Sequence, residues 1–235
     1  MESDRRRFFV ATSVMGMVGL AALAMPVDSA TRHGPSAEAE VSAPEDLMRE
    51  HGMLNRALLI YEEGLRRLHA REDVPPEVFQ QTATLIRKFI EDYHERLEEN
   101  FVFPAFEQRQ TLVDLVKVLR KQHDAGRAVT DVILRTSVAE QFRKEEGRQA
   151  LVQACEEFIR MYRPHEARED TVLFPALHKI TSDAQMKELG ERFEQEEDRL
   201  FGEEGFEKAV DQIAALEKQL GIYDLGQFTP TVPRR

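Results

Sequence analysis

The stretch His165-Glu166-Ala167-Arg168-Glu169-Asp170-Thr171-Val172-Leu173-Phe174-Pro175-Ala176-Leu177 decides the fold, because the chain carries it twice. The earlier copy is His94-Glu95-Arg96-Leu97-Glu98-Glu99-Asn100-Phe101-Val102-Phe103-Pro104-Ala105-Phe106. Six of the thirteen positions are identical, and Glu99/Asp170, Val102/Leu173 and Phe106/Leu177 are near-equivalents. A helix turns about 100° per residue, so His94 shares a face with Glu98, and His165 with Glu169. An imidazole one turn from a carboxylate, supplied twice, is how a helical bundle builds a two-metal site in its core.

The repeat extends beyond this motif. Leu47-x-x-x-His51 matches Leu119-x-x-x-His123, and His51 precedes His94 by 43 residues as His123 precedes His165 by 42. Each half therefore reads as a helix hairpin that brings one His and then a His-x-x-x-Glu. Apolar steps of three and four predict the helices themselves. The first stripe is Leu47, His51, Leu54, Leu58, Tyr61, Leu65 and Leu68, with Pro44 in its first turn; the second is Phe79, Ala83, Ile86, Ile90, His94, Leu97 and Phe101. The third runs Leu112, Val116, Leu119, His123, Gly126, Thr130 and Ile133, the fourth Leu151, Cys155, Phe158, Tyr162, His165, Glu169 and Val172. Short connections between four such helices predict an all-α fold, an antiparallel up-down four-helix bundle over residues 44–178 with additional C-terminal helices. Pro104 is expected to end or kink the second helix, and Pro164 to bend the fourth. An acidic helix over Asp183 to Leu200 and an amphipathic one carrying Phe206, Val210, Ile213, Leu216 and Leu220 make up an extension at 179–220, followed by a tail at 221–235.

Composition narrows the partners. The net charge of −11 repels nucleic acid and anionic membrane alike. The single cysteine, Cys155, excludes an internal disulfide and a cysteine metal cluster within one chain. Unpaired charges in a core cost several kcal/mol each, so Glu98 and Glu169 need a cation or a proton beside them. Metal is the economical answer, and the candidate ligands are His51, His94, Glu98, His123, His165 and Glu169. His33, His69 and His178 have no counterpart in the other half and read as surface residues. Glu95, Glu99, Glu166 and Asp170 lie off the ligand face, with a solvated role or one orienting the imidazoles. Cys155 and Tyr162 read as structural core residues, and Tyr61 and Tyr93 as candidates to hydrogen-bond a bound oxygen species.

The set His51, His94-x-x-x-Glu98, His123, His165-x-x-x-Glu169, with Phe-Pro after both carboxylates, resembles the hemerythrin-like (HHE cation-binding) domain over roughly residues 44–178. The resemblance implies a non-haem di-iron pair bridged by the two carboxylates and an oxo or hydroxo group. Oxygen-carrying members of the family place His-x-x-x-His on the third helix, where this chain has Arg127, and His-x-x-x-x-Asp on the fourth, where Asp170 follows His165 by five. Five residues turn a helix about 140° from the histidine and four only about 40°, and the internal repeat also selects Glu169; Asp170 is the alternative. Arginine cannot ligate a metal, so Arg127 is expected to face the pocket and pair with a bridging carboxylate or an acidic neighbour. With about six ligands per iron, roughly two positions of the pair stay open. The first expectation is therefore a protein that binds or senses oxygen-type small ligands, namely dioxygen, peroxide or nitric oxide. Alternatives are a di-iron oxidoreductase turning over peroxide or nitric oxide, an iron-handling protein, or a metal-free helical adaptor.

The first thirty residues read as a signal peptide, set aside for the fold. Arg5-Arg6-Arg7-Phe8-Phe9 precedes an uncharged run from Phe8 to Val27 and resembles a twin-arginine signal. Residues 31–43 read as a flexible leader. Cleavage would leave an exported, periplasmic protein without stable membrane insertion; an uncleaved segment would be an anchor. Replacing Arg5-Arg6 with Lys-Lys is expected to hold a folded protein in the cytoplasm. Export stopped only by an inhibitor of the general secretory route would contradict that assignment.

Overall fold

The computed structural model of the protein describes residues 41–232, so the signal segment, most of the leader and residues 233–235 lie outside the described residues. The unit from Ser42 onward is all-helical, with no strand among the described residues. Helix α1 spans Ala43–Ala70. Its start is fixed by the Glu45 carboxylate, which reaches back to accept from the Ser42 N–H at 2.9 Å and from the Ser42 hydroxyl at 2.8 Å. Leu47, His51, Leu54, Leu58, Tyr61 and Leu65 form its buried face, and Arg71 ends it in the left-handed conformation.

Helix α2 is a rod over residues 76–109 that alternates between two ladders. It is α-helical at Pro76–Leu85, π-helical at Ile86–His94, α-helical at Glu95–Leu97, π-helical at Glu98–Val102 and α-helical again at Phe103–Arg109. Pro104 does not end it. The proline sits in the first turn after a π segment, where the ladder is already changing from i→i−5 to i→i−4 bonding, so its missing N–H falls at an existing irregularity and the rod continues. Helix α3 spans Val113–Thr136, and α4 is the short turn Ala139–Phe142. Helix α5 runs over residues 145–180: Glu145–Arg168, a π segment Glu169–Leu173, then Phe174–Ile180. It passes through Pro164 without interruption, and Pro175 repeats the placement of Pro104.

Helix α3 packs along α5, α1 along α5, and α2 against both α1 and α3, which closes the bundle. Gly126 permits the tightest approach: a Cβ there would lie 2.0 Å from the Tyr162 hydroxyl. Helices α6 (Asp183–Phe201) and α7 (Gly205–Leu220) form a hairpin against α1 and α2. The amphipathic extension is thus spent on the bundle. Phe201 and Phe206 pack on Phe89, with ring centroids at 5.4 and 6.2 Å, and Phe201 meets Tyr93 edge-on at 5.5 Å. The Arg56 guanidinium forks onto the Glu217 carboxylate, with Nε at 2.9 Å from Oε1. No helix among the described residues is long and apolar enough to cross a membrane.

Candidate metal centre

Two hairpins project six side chains into one core. His51 from α1, His94 and Glu98 from α2, His123 from α3, and His165 and Glu169 from α5 are each at most 4% exposed. The Glu169 Oε2 lies 3.1 Å from His165 Nε2 and 3.4 Å from His51 Nε2. The Glu98 Oε2 lies 3.4 Å from His123 Nε2 and 3.7 Å from His94 Nε2. His123 and His165 aim their Nε2 atoms at each other, 3.3 Å apart. All four carboxylate oxygens of Glu98 and Glu169 are buried without a hydrogen-bond partner among the described residues. Glu98, His123, His165 and Glu169 form one group whose donor atoms lie within 4.8 Å of one another and could hold a metal ion; His51, His94 and Glu98 form a second.

The outer nitrogens explain why the inner ones are free. His51 Nδ1 pairs with Asp170 Oδ1 at 2.8 Å, His94 Nδ1 with Glu50 Oε2 at 2.6 Å, His123 Nδ1 with Glu99 Oε1 at 3.1 Å and His165 Nδ1 with Gln122 Oε1 at 3.0 Å. With Nδ1–H donating to each acceptor, the Nε2 lone pair faces inward, the arrangement a metal-binding imidazole needs. Burial pushes the Glu50 carboxyl well up, so a cation at the site is what would draw that bond into its carboxylate form. Asp170 therefore supports His51 from outside, while Glu169 points into the pocket. The residues fit a cation: unpartnered buried carboxylates and four presented lone pairs are a donor set of mixed nitrogen and oxygen type.

Residues 42–141 match the hemerythrin HHE cation binding domain. The uncharacterized protein Rv1995 of Mycobacterium tuberculosis is 52% identical over 197 residues, which is 84% of this chain and 77% of the relative. The uncharacterized protein Mb2018 of Mycobacterium bovis matches to the same extent. The chain carries a hemerythrin HHE cation-binding domain over residues 42–141. No solved structure matches it significantly. The matched HHE stretch holds His51, His94, Glu98 and His123 and ends before His165 and Glu169. Those two are joined to it by the internal repeat and by the geometry above.

In the HHE core without a cation, the two acids titrate as a pair. Burial, then the charge of Glu169, pushes the Glu98 carboxyl well up. Burial also pushes Glu169 up, but His165 and His51 outweigh it and hold its carboxyl below the ordinary range. The histidines divide as well. Burial drives His94 and His123 down, whereas for His51 the bond to Asp170 and the nearby Glu169 carboxylate overcome burial and raise it. Glu169 and His51 thus favour their charged forms as an ion pair where a cation would place its charge.

Sequence reasoning missed Glu50 and Gln122. Their signal was available, because each precedes the first histidine of its half, and extending the repeat by one residue pairs them. The solvated role for Glu95 and Glu166 is corrected: they are 1% and 2% exposed. Partners on neighbouring helices draw both carboxyls into the core. Glu95 accepts from the Tyr162 hydroxyl at 2.6 Å and pairs with Arg127 at 2.7 Å; Glu166 accepts from Asn55. Arg127 takes the acidic-neighbour option, joining Glu95 and Glu99 (2.6 Å to the latter) rather than Glu98 or Glu169. Tyr61 stacks on Phe79 and Tyr93 packs on Phe89; the tyrosine ring beside a candidate ligand is that of Tyr162, 5.4 Å from His165. Cys155 is buried, and His69 and His178 are exposed, as expected.

Glu166 supplies a test of this buried shell. Burial raises its carboxyl to about 8 from an ordinary 4.5. A raised acid favours the folded state fully below 4.5 and loses that contribution as the pH climbs to 8. In the metal-free protein Glu166→Gln should therefore melt like the wild type near pH 4.5 and higher than it near pH 8. A difference independent of pH would mean that Glu166 is solvated in solution.

Proposed function

We propose that the chain holds a pair of iron ions in its HHE core, with His51 and His94 on one ion, His123 and His165 on the other, and Glu98 and Glu169 shared between them. The observation that carries this reading is the four partnerless carboxylate oxygens facing four inward Nε2 atoms. Protonating both acids would supply only two O–H donors for four inward lone pairs, whereas two divalent cations satisfy every donor at once. Bound iron would supply open coordination positions and one-electron redox chemistry. The chain's own residues hold the imidazoles in one tautomer, keep bulk water from the carboxylates and stack apolar rings over the site. Phe103 lies on His123 and Phe174 on His51, at 5.4 and 5.6 Å.

The function we infer is binding or sensing of a small oxygen-type ligand, namely dioxygen, peroxide or nitric oxide. Arg127 stands where oxygen carriers of the family place a fifth imidazole, and its pairing with Glu95 and Glu99 takes it out of the ligand set. That observation also favours a second reading, turnover of peroxide or nitric oxide, because an open position admits a substrate as readily as a reversible ligand. The Arg5-Arg6 segment supports a site of action in the cell envelope. His165→Ala should lower bound iron well below about two per chain, and His69→Ala should leave it unchanged. Full iron in the His165 variant would overturn the ligand set.

A further inference from the structure

The inner ligands are balanced between the halves, and the outer acceptors are not. Each half contributes two imidazoles and a share of the same two carboxylates. Around the His51/His94 half, the outer acceptors are the carboxylates of Asp170 and Glu50, and neither pairs with an arginine or lysine among the described residues. Around the His123/His165 half they are Glu99 and Gln122. Glu99 is shared with two guanidiniums, those of Arg127 and Arg96, and Gln122 is a neutral amide. A carboxylate acceptor raises the basicity of the imidazole it holds, and an amide does so far less.

We propose that the two metal positions are unequal, the His51/His94 position binding a cation more tightly than the His123/His165 position, with Gln122 and Glu50 setting the difference. The inference rests on the metal-binding reading above and adds to it a rank order. The internal repeat makes the choice of Gln122 pointed: it occupies the register of Glu50, so one substitution, Gln122→Glu, matches the two halves at that position.

The test is a titration of the metal-free full-length protein with cobalt(II), followed by its visible absorption, with far-ultraviolet circular dichroism confirming the helices of each variant. Wild type should load in two separated steps. Gln122→Glu should tighten the weaker step about tenfold and bring the two together, and Glu50→Gln should weaken the tighter step about ten- to a hundredfold. Asp170→Asn is the second variant for that tighter step and should weaken it in the same direction. Two ions loading in one step in wild type, or a weaker step that Gln122→Glu does not move, would overturn the inference while leaving metal binding intact. A protein that takes up no cobalt would overturn the metal-binding reading and the inference with it.

Discussion

Two carboxylates at the centre of a helical bundle set the terms for everything around them. Glu98 and Glu169 are fully buried, come from opposite hairpins and make no hydrogen bond among the described residues. Leaving such charge uncompensated in a core costs several kcal/mol, a large fraction of a domain's net stability. The fold tolerates it only because four imidazoles converge on the same volume, and they converge only because their other nitrogens are tied down. The outer shell is therefore part of the reason the core holds together. The C-terminal hairpin contributes from outside, packing Phe201 and Phe206 against the α2 face that carries Phe89 and Tyr93.

The four outer bonds follow the duplication. Glu50 on α1 holds His94 on α2, and Gln122 on α3 holds His165 on α5. Glu99 on α2 holds His123 on α3, and Asp170 on α5 holds His51 on α1. Each helix thus orients a ligand of the next, around a closed ring. The duplication also repeats the π segments Glu98–Val102 and Glu169–Leu173, each followed by Phe-Pro. A π ladder costs hydrogen-bond geometry, and such segments gather at functional sites where a side chain has to be re-aimed. Here they let a carboxylate at the fourth position face the pocket while the acid at the fifth still reaches an imidazole on a neighbouring helix.

The fold and the convergence of the inner six side chains were legible because both rest on periodicity, and a duplicated period is hard to imitate by chance. The choice of Glu169 over Asp170 followed from helical angles and the repeat, and the structure places the two on different nitrogens: Glu169 against Nε2 of His165, Asp170 against Nδ1 of His51. What stayed hidden depends on departures from an ideal helix or on contacts between helices. The passage of α2 through Pro104 could not be read from a rule that treats proline as a breaker in a uniform ladder. The burial of Glu95 needed Arg127 and Tyr162, which lie 32 and 67 positions further along the chain. Gln122 was overlooked because a neutral amide carries no metal signal by itself.

The central claim is that this core is built around a metal pair, and the most direct measurement is metal analysis with an ultraviolet–visible spectrum of the protein purified from iron-replete cells. The account predicts about two iron ions per chain and iron charge-transfer absorption that disappears when the metal is removed. A colourless, fully helical protein containing no iron would contradict it.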